Sequence, residues 1–253
     1  MSQNVAYIIG KVSTWSGVRA IVLQYFVEKD IYDPNFSITL DVYYDGVIPD
    51  SGERSGLFSD AQFFETSHLN DKDRFILKEM PIRISYKECG QVDEVISALS
   101  GDKWLSMERG TYLFYRIATG TVEWSRDEWI KEARAKLDNL PDSFWDFWID
   151  SCRHRVDHFL GDMRASAIKD DALYFHLSLG DFLRAVVKLL FAVNHVFEPG
   201  PRDYTASLAL LEIIPEGFEA SWKSLLREDA ELPPERKREL AELLTRSLLE
   251  LNP

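Results

Sequence analysis

Cysteine and basic residues are scarce in this 253-residue chain, and both shortages restrict what the protein can be. The only two cysteines, Cys89 and Cys152, form no CxxC motif, which argues against a disulfide scaffold and against a zinc knuckle. The 29 Lys and Arg residues are outnumbered by 42 Asp and Glu residues, so the net charge is −13. Because binding to nucleic acid or an anionic membrane requires clustered cations, we expect neither extended nucleic-acid binding nor membrane binding.

Long apolar runs and short catalytic motifs are also missing. No run approaches the roughly 20 residues of a membrane span. The start, Met1–Asn4, lacks the features of a signal peptide, so we expect a cytoplasmic protein. No Walker loop, GxSxG motif or Ser-His-Asp order occurs. The pair His154 and His158 has interleaved arginines, and we interpret it as a solvated helix face.

Strand-like and helix-like patterns divide the chain into two parts. At 45% hydrophobic and 13% aromatic residues, the chain can bury a core. Strand patterns occur between about residues 17 and 87, and beyond residue 120 the patterns are helical, starting with a Ser125–Glu128 capping box. The sequence therefore predicts an α+β protein, with a small mixed-sheet domain over residues 1–120 and an all-helical bundle over residues 121–253.

Two local predictions concern the segment between the predicted strands. Residues 49–56 have the composition of a polar loop, so we expect Glu53 and Arg54 to be solvated. Ser59 is a suitable N-cap, and it predicts a short helix that continues to about His68.

The stretch Phe36–Gly46 is the predicted central strand. Its alternation places Ile38, Leu40 and Val42 on one side, and Thr39, Asp41 and Tyr43 on the other. A carboxylate in mid-strand is disfavoured without a partner, so Asp41 is either a hydrogen-bonded structural residue or a ligand-binding group. Asp45 precedes Gly46, which is first a turn signal. Alternatively, Asp45 and Asp41 bind one cation together.

Three segments carry a resemblance to the nucleotidyltransferase superfamily, in particular to its aminoglycoside (kanamycin) branch. Ser37–Tyr43 resembles the acidic strand of the family, Pro81–Tyr86 lies where the family has its third acidic strand, and Leu189–Phe197 is similar to a helix end of the branch. The resemblance implies an α/β domain followed by a helical bundle, and it implies Asp41 and Asp45 as catalytic residues. It further implies that Asp41 binds Mg²⁺ and that the protein also binds a nucleoside triphosphate.

The chain departs from the family pattern at several positions. Thr39 takes the place of the first acid, no Gly-Ser turn precedes the strand, and the third strand offers Arg83 and Ser85 in place of a carboxylate. If Arg83 shares a face with Asp41, its guanidinium neutralises that carboxylate, and Arg83 becomes the ligand-binding residue.

Three functional hypotheses follow. The first is a degenerate member of the fold, a pseudoenzyme that binds a nucleotide or a partner. The second is a divergent Mg²⁺-dependent nucleotidyltransferase that acts on a small hydroxylated acceptor. The third is a structural or interaction module whose helical half forms a homodimer.

Overall fold

The computed structural model describes residues 3–25, 37–99, 110–227 and 233–251. Its contacts divide the chain into two compact units, Met1–Leu105 with Leu113–Leu140, and Ser106–Tyr112 with Pro141–Pro253. The first unit contains the sheet, and the described part of the second is helical. The predicted α+β class is confirmed.

The first unit is built on one mixed sheet. Its strands are β1 (Val18–Tyr25), β2 (Ile38–Tyr44), β3 (Gln62–Thr66), β4 (Lys72–Leu77), β5 (Met80–Glu88) and β6 (Thr121–Ser125). Their order across the sheet is β3-β4-β5-β2-β1-β6. Strands β2 and β5 pair in parallel, and the other neighbouring pairs are antiparallel. The helices of this unit are α1 (Gln3–Val12), α2 (Ser51–Leu57), α3 (Cys89–Ala98), α4 (Tyr112–Thr119) and α5 (Trp129–Asp138).

One face of the sheet is an apolar core, as the alternation in the central strand predicts. The inward residues of β2 and β5 pack there against α1 and are almost fully buried, and they include Ile38, Leu40, Val42, Ile82 and Ile84. The other face carries Asp41 and Tyr43, and the Tyr43 ring lies 5.1 Å from that of Trp129 on α5. The two faces therefore differ in chemistry, because the charged side chain of β2, Asp41, lies on the side opposite the apolar core.

The prediction that strands end before residue 120 is wrong. Strand β6 lies beyond residue 120, where only helices were predicted, and it pairs with the free edge of β1. Helix α5 also contacts β1 and α3, so the unit that holds the sheet continues to Leu140. A five-residue edge strand is too short for its alternation to stand out from a linker.

Two other local predictions, of a capping box and of a short helix, are also wrong. The predicted capping box fails because α5 begins at Trp129, whose backbone N–H donates to the Asp127 carboxylate at 2.9 Å. The predicted helix from Ser59 to His68 is replaced by β3. That strand pairs with β4, and pairing with a distant segment overrides a weak helix propensity.

Arg54 is buried, contrary to the expectation of a solvated loop. It lies in α2 with 1% of its surface exposed, and its Nε and Nη2 donate to Asp73 at 2.8 and 3.1 Å. Asp73 projects inward from β4 and also accepts hydrogen bonds from Thr66 at 2.8 Å and from Tyr86 at 2.7 Å. Burial, aided by Asp73, raises the pKa of Tyr86 well above its usual value. This network holds α2 against the sheet.

The helical unit consists of α6 (Asp142–Lys169), α7 (Ala172–Val193), α8 (Tyr204–Leu208), α9 (Phe218–Leu226) and α10 (Pro234–Leu249), with a 3-10 turn at Pro201–Asp203. Helices α6 and α7 pack along each other, and α10 packs on α6. The Asp171 carboxylate caps α7 by accepting a hydrogen bond from the Tyr174 N–H at 3.0 Å. Among the described residues, no helix combines the length and apolarity needed to cross a membrane.

The buried Arg54–Asp73 pair gives a stability prediction. Replacing Arg54 by Met leaves the Asp73 carboxylate buried without a counter-charge, which should lower the free energy of unfolding by about 3–5 kcal/mol. Chemical denaturation followed by circular dichroism measures the change. The matched control is Lys131→Met, which breaks a largely exposed ion pair with Glu128 and should cost at most about 1 kcal/mol. Equal losses in both variants would contradict the structural role of the buried pair.

Candidate functional site

Asp41 lies in the middle of β2 and is completely buried. The register places it between Val22 on β1 and Ser85 on β5. In the parallel pair of β2 and β5, Thr39 lies opposite Arg83, and Tyr43 opposite Lys87. Since paired residues project to the same side of a sheet, one face combines the carboxylate of Asp41 with the side chains of Arg83 and Lys87.

Both carboxylate oxygens of Asp41 are occupied by cationic side chains. Arg116 on α4 donates through Nε to Oδ2 and through Nη2 to Oδ1, each at 2.7 Å, in a bidentate pair. The ammonium Nζ of Lys87 lies 2.6 Å from Oδ2. The hydroxyl of Tyr43 donates to the same oxygen at 3.5 Å. Burial is the larger cause, and the nearby Asp41 charge the next largest, of the raised pKa of Tyr43. The cluster is therefore an ion-paired carboxylate with two cations.

The ammonium of Lys87 is buried but incompletely hydrogen-bonded. Its Nζ atom is shielded from solvent, and the short contact with Asp41 is not aligned as a hydrogen bond. An ammonium has three donors, so this group retains donor capacity that the described residues do not use. Burial lowers the pKa of Lys87 to about 8, with Asp41 acting in the opposite direction and Arg116 in the same direction.

Packing around the end of α4 positions Arg116. The Gln24 side chain donates to the Arg116 carbonyl at 2.9 Å, and Arg134 on α5 donates to the Ile117 carbonyl at 2.8 Å. Gly120 follows the helix, and a Cβ there would come within 2.4 Å of the Val22 side chain. Only glycine allows this close approach between the helix end and β1. Arg116 therefore reaches Asp41 from a well-anchored helix.

The structure does not bring Asp45 to Asp41. Asp45 lies in the bend after β2, its side chain is 52% exposed, and it pairs with Arg19 at 3.0 Å. Arg19 also pairs with Asp127 at 2.8 Å. Four residues of extended strand span about 13 Å, which is too far for two carboxylates to share one ion.

Arg83 lies on the same face as Asp41, as the alternation predicts. The ion pairs that the structure describes for Asp41 are nevertheless formed by Arg116 and Lys87. The alternation did place Lys87 on this face, since it follows Arg83 by four residues on β5. Sequence reasoning missed Arg116 entirely. It is 75 residues from Asp41 and belongs to a helix with no motif of its own.

Comparison with known proteins links this geometry to a fold. No protein-family model matches the chain, and no curated protein matches it. A solved structure, a nucleotidyltransferase-like protein from Exiguobacterium sibiricum, superposes with a TM-score of 0.53. The match covers 98% of this chain and 74% of that one at 10% sequence identity. The chain has a nucleotidyltransferase-like fold.

Strand β2, which the sequence resemblance predicts as the acidic strand, carries one buried acid, Asp41. In the described ranges, no group of three or more His, Cys, Asp and Glu side chains could hold a metal ion. At the position that the sequence predicts as a Mg²⁺ site, the Asp41 carboxylate is held by a guanidinium and an ammonium.

The lowered pKa of Lys87 predicts a pH dependence of stability. Between about pH 8 and the usual lysine pKa of 10.5, the unfolded chain binds a proton that the folded chain has released, so stability rises with pH in this window. We therefore expect the wild type to gain free energy of unfolding relative to Lys87→Met from pH 8 to 10. Urea titrations of both proteins at pH 7, 8, 9 and 10 measure this difference, and a difference that is constant with pH would contradict it.

Proposed function

We propose that this protein is a degenerate, kanamycin-branch-like member of the nucleotidyltransferase fold that binds a nucleotide or a partner without transferring a nucleotidyl group. One observation carries this proposal. Both oxygens of the only acid on the central strand face, Asp41, are engaged by Arg116 and Lys87 at 2.6–2.7 Å.

Metal-dependent nucleotidyl transfer demands a different charge arrangement. Two Mg²⁺ ions about 3.5–4 Å apart need several carboxylate oxygens to fix them and to balance their charge. Here a divalent ion would have to displace a bidentate guanidinium and an ammonium from a fully buried carboxylate. Like-charge repulsion opposes that exchange. In our proposal the side-chain cations supply the positive charge that the metal supplies in an active enzyme.

A metal titration tests this proposal. Millimolar Mg²⁺ or Mn²⁺ should leave the melting temperature unchanged, because a ligand stabilises a protein only in proportion to RT ln(1 + [L]/Kd) and the carboxylate of β2, Asp41, is already paired. Asp41→Asn should melt at a lower temperature, to the same extent with and without metal, because it weakens two ion pairs at a buried position.

Asp45→Asn is the matched control for the metal titration, since it removes an exposed carboxylate and should change stability by at most about 1 kcal/mol. A metal-dependent rise in the melting temperature that disappears in Asp41→Asn would overturn the proposal. It would favour the active Mg²⁺-dependent enzyme with a small hydroxylated acceptor, in which Arg116 and Lys87 release Asp41.

A second candidate function, a homodimeric interaction module, is favoured by an apolar patch on the helical unit. Ile168 near the end of α6 and Leu173 and Leu177 on α7 are strongly exposed, and the two leucines are four residues apart on one helix face. Two large apolar side chains exposed on one helix face indicate an interaction surface more than isolated exposed residues do.

Light scattering coupled to gel filtration tests the homodimer. If the patch of Ile168, Leu173 and Leu177 is the interface, the wild type should elute with the mass of a dimer and Leu173→Glu with Leu177→Glu should elute as a monomer. Leu210→Glu, at an exposed leucine outside the patch, should remain dimeric. A wild type that elutes as a monomer at a protein concentration of tens of micromolar would exclude this interface. Even a weak but specific dimer should be populated at that concentration.

A further inference from the structure

The helical unit has a cavity of about 540 Å³ along one side of α6. This volume lies within the roughly 300–1,000 Å³ of sites that bind small organic molecules. The described residues that line it are spaced three or four positions apart, which places them on one face of the helix. They are Phe147, Asp150, Ser151, His154, Arg155 and His158, and we call this site the α6 cavity.

Arg155 is half-buried in the α6 cavity and forms no hydrogen bond or ion pair with a described residue. The side chains three and four positions away along the helix, where a paired acid would lie, are those of Ser151, Cys152, His158 and Phe159. The other two arginines of α6 are paired. Arg153 lies 3.3 Å from Asp150, and Arg164 lies 2.7 Å from Glu242. The helix therefore leaves one guanidinium in the cavity without a counter-charge.

The carboxylates near the α6 cavity already have partners. Asp150 is the only acid among the lining residues that the structure describes, and its Oδ1 atom is the one paired with Arg153. Asp162, one turn beyond the cavity, has its Oδ2 atom 3.6 Å from Nε2 of His158. A negatively charged ligand would therefore supply the partner that Arg155 lacks, and a half-buried charge gains stability from such a partner.

His154 and Ser151 add hydrogen-bonding groups next to Arg155. Nδ1 of His154 lies 2.7 Å from the Asp150 carbonyl oxygen, which only accepts, so Nδ1 carries a hydrogen. Nε2 has no hydrogen-bond partner among the described residues, and neither has the Ser151 hydroxyl. A bound oxyanion favours the protonated ring, in which Nε2 donates. Ser151 is three residues from His154 and four from Arg155, so the three groups are neighbours on the helix surface.

We propose that the α6 cavity binds a small organic molecule through one carboxylate or phosphate group, held by Arg155, Ser151 and His154. A guanidinium matches both kinds of oxyanion with two parallel hydrogen bonds. The cavity is much larger than one such group, and the Phe147 ring forms part of its lining, so the organic part of the ligand occupies the remaining space. This site is separate from the proposed function, because none of its residues belongs to the Asp41 cluster.

Nuclear magnetic resonance of the histidine rings in the full chain tests this site. The chain has five histidines, so each ring signal can be assigned from one His-to-Gln variant. Phenyl phosphate, benzoate and the neutral benzyl alcohol are titrated at millimolar concentrations, with constant pH and ionic strength. Both anions should shift the ring signals of His154 to saturation, and benzyl alcohol should not. The relative affinity of the two anions identifies the preferred oxyanion, and either order supports the proposal.

His176 on α7 is the matched internal control for this titration. Like His154 it is exposed, and its Nδ1 also lies 2.7 Å from the carbonyl oxygen four residues earlier, that of Ala172. It does not line the α6 cavity, so its ring signals should stay unchanged when the anions bind. Equal shifts of His154 and His176 would overturn the proposal, because they would show non-specific association of the anions with exposed imidazoles.

Variants separate the site from general electrostatics. Arg155→Gln should weaken phenyl phosphate binding about tenfold, the usual effect of losing one hydrogen bond to a charged group. Ser151→Ala removes a neutral donor and should weaken it about threefold. Arg184→Gln removes the same charge from an exposed ion pair on α7 and should leave the affinity unchanged.

Three further results would each overturn the proposal. They are wild-type affinity in Arg155→Gln, an equal loss of affinity in Arg184→Gln, and no saturable shift of His154 with either anion. A shift of His154 that is as large with benzyl alcohol as with the anions would also overturn it, because the oxyanion would then contribute nothing. The metal titration of Asp41 is a separate measurement, so failure here leaves the proposed function standing.

Discussion

The structure of the sheet unit depends on neutralising a carboxylate in the interior of a strand. Asp41 is completely buried, and an unpaired charge there would cost several kcal/mol of stability. Arg116 and Lys87 supply the compensation from α4 and from β5, so one ion-paired cluster connects two strands and a helix.

The charge of a second buried aspartate, Asp73, is neutralised by a network that has a purely structural role. Asp73 is also held by a bidentate arginine, Arg54, and its oxygens additionally accept hydrogen bonds from Thr66 and Tyr86. Nothing in that network is left without a partner, and it lies on the apolar side of the sheet. The Asp41 cluster differs because the Lys87 ammonium retains unused donors. This difference is the reason for treating one cluster as a scaffold and the other as a candidate site.

The fold alone therefore does not identify the function, which depends on the chemistry of the site. A nucleotidyltransferase-like fold is shared with a protein that is only 10% identical, and a shared fold permits many activities. Function has to be argued from the side chains on the sheet face. There, Arg116 from α4 and Lys87 from β5 pair with the buried Asp41 carboxylate.

The sequence by itself determined the features that depend on local periodicity. Alternation in β2 placed Asp41 on the side opposite Ile38, Leu40 and Val42, and alternation in β5 placed Arg83 and Lys87 together on one side of their strand. Only the tertiary structure decided which cation pairs with Asp41, because Arg116 is brought there by the packing of α4 against β1. It also decided that Arg54 is buried and that β6 extends the sheet. Both depend on contacts between distant segments, and local sequence patterns contain no information about such contacts.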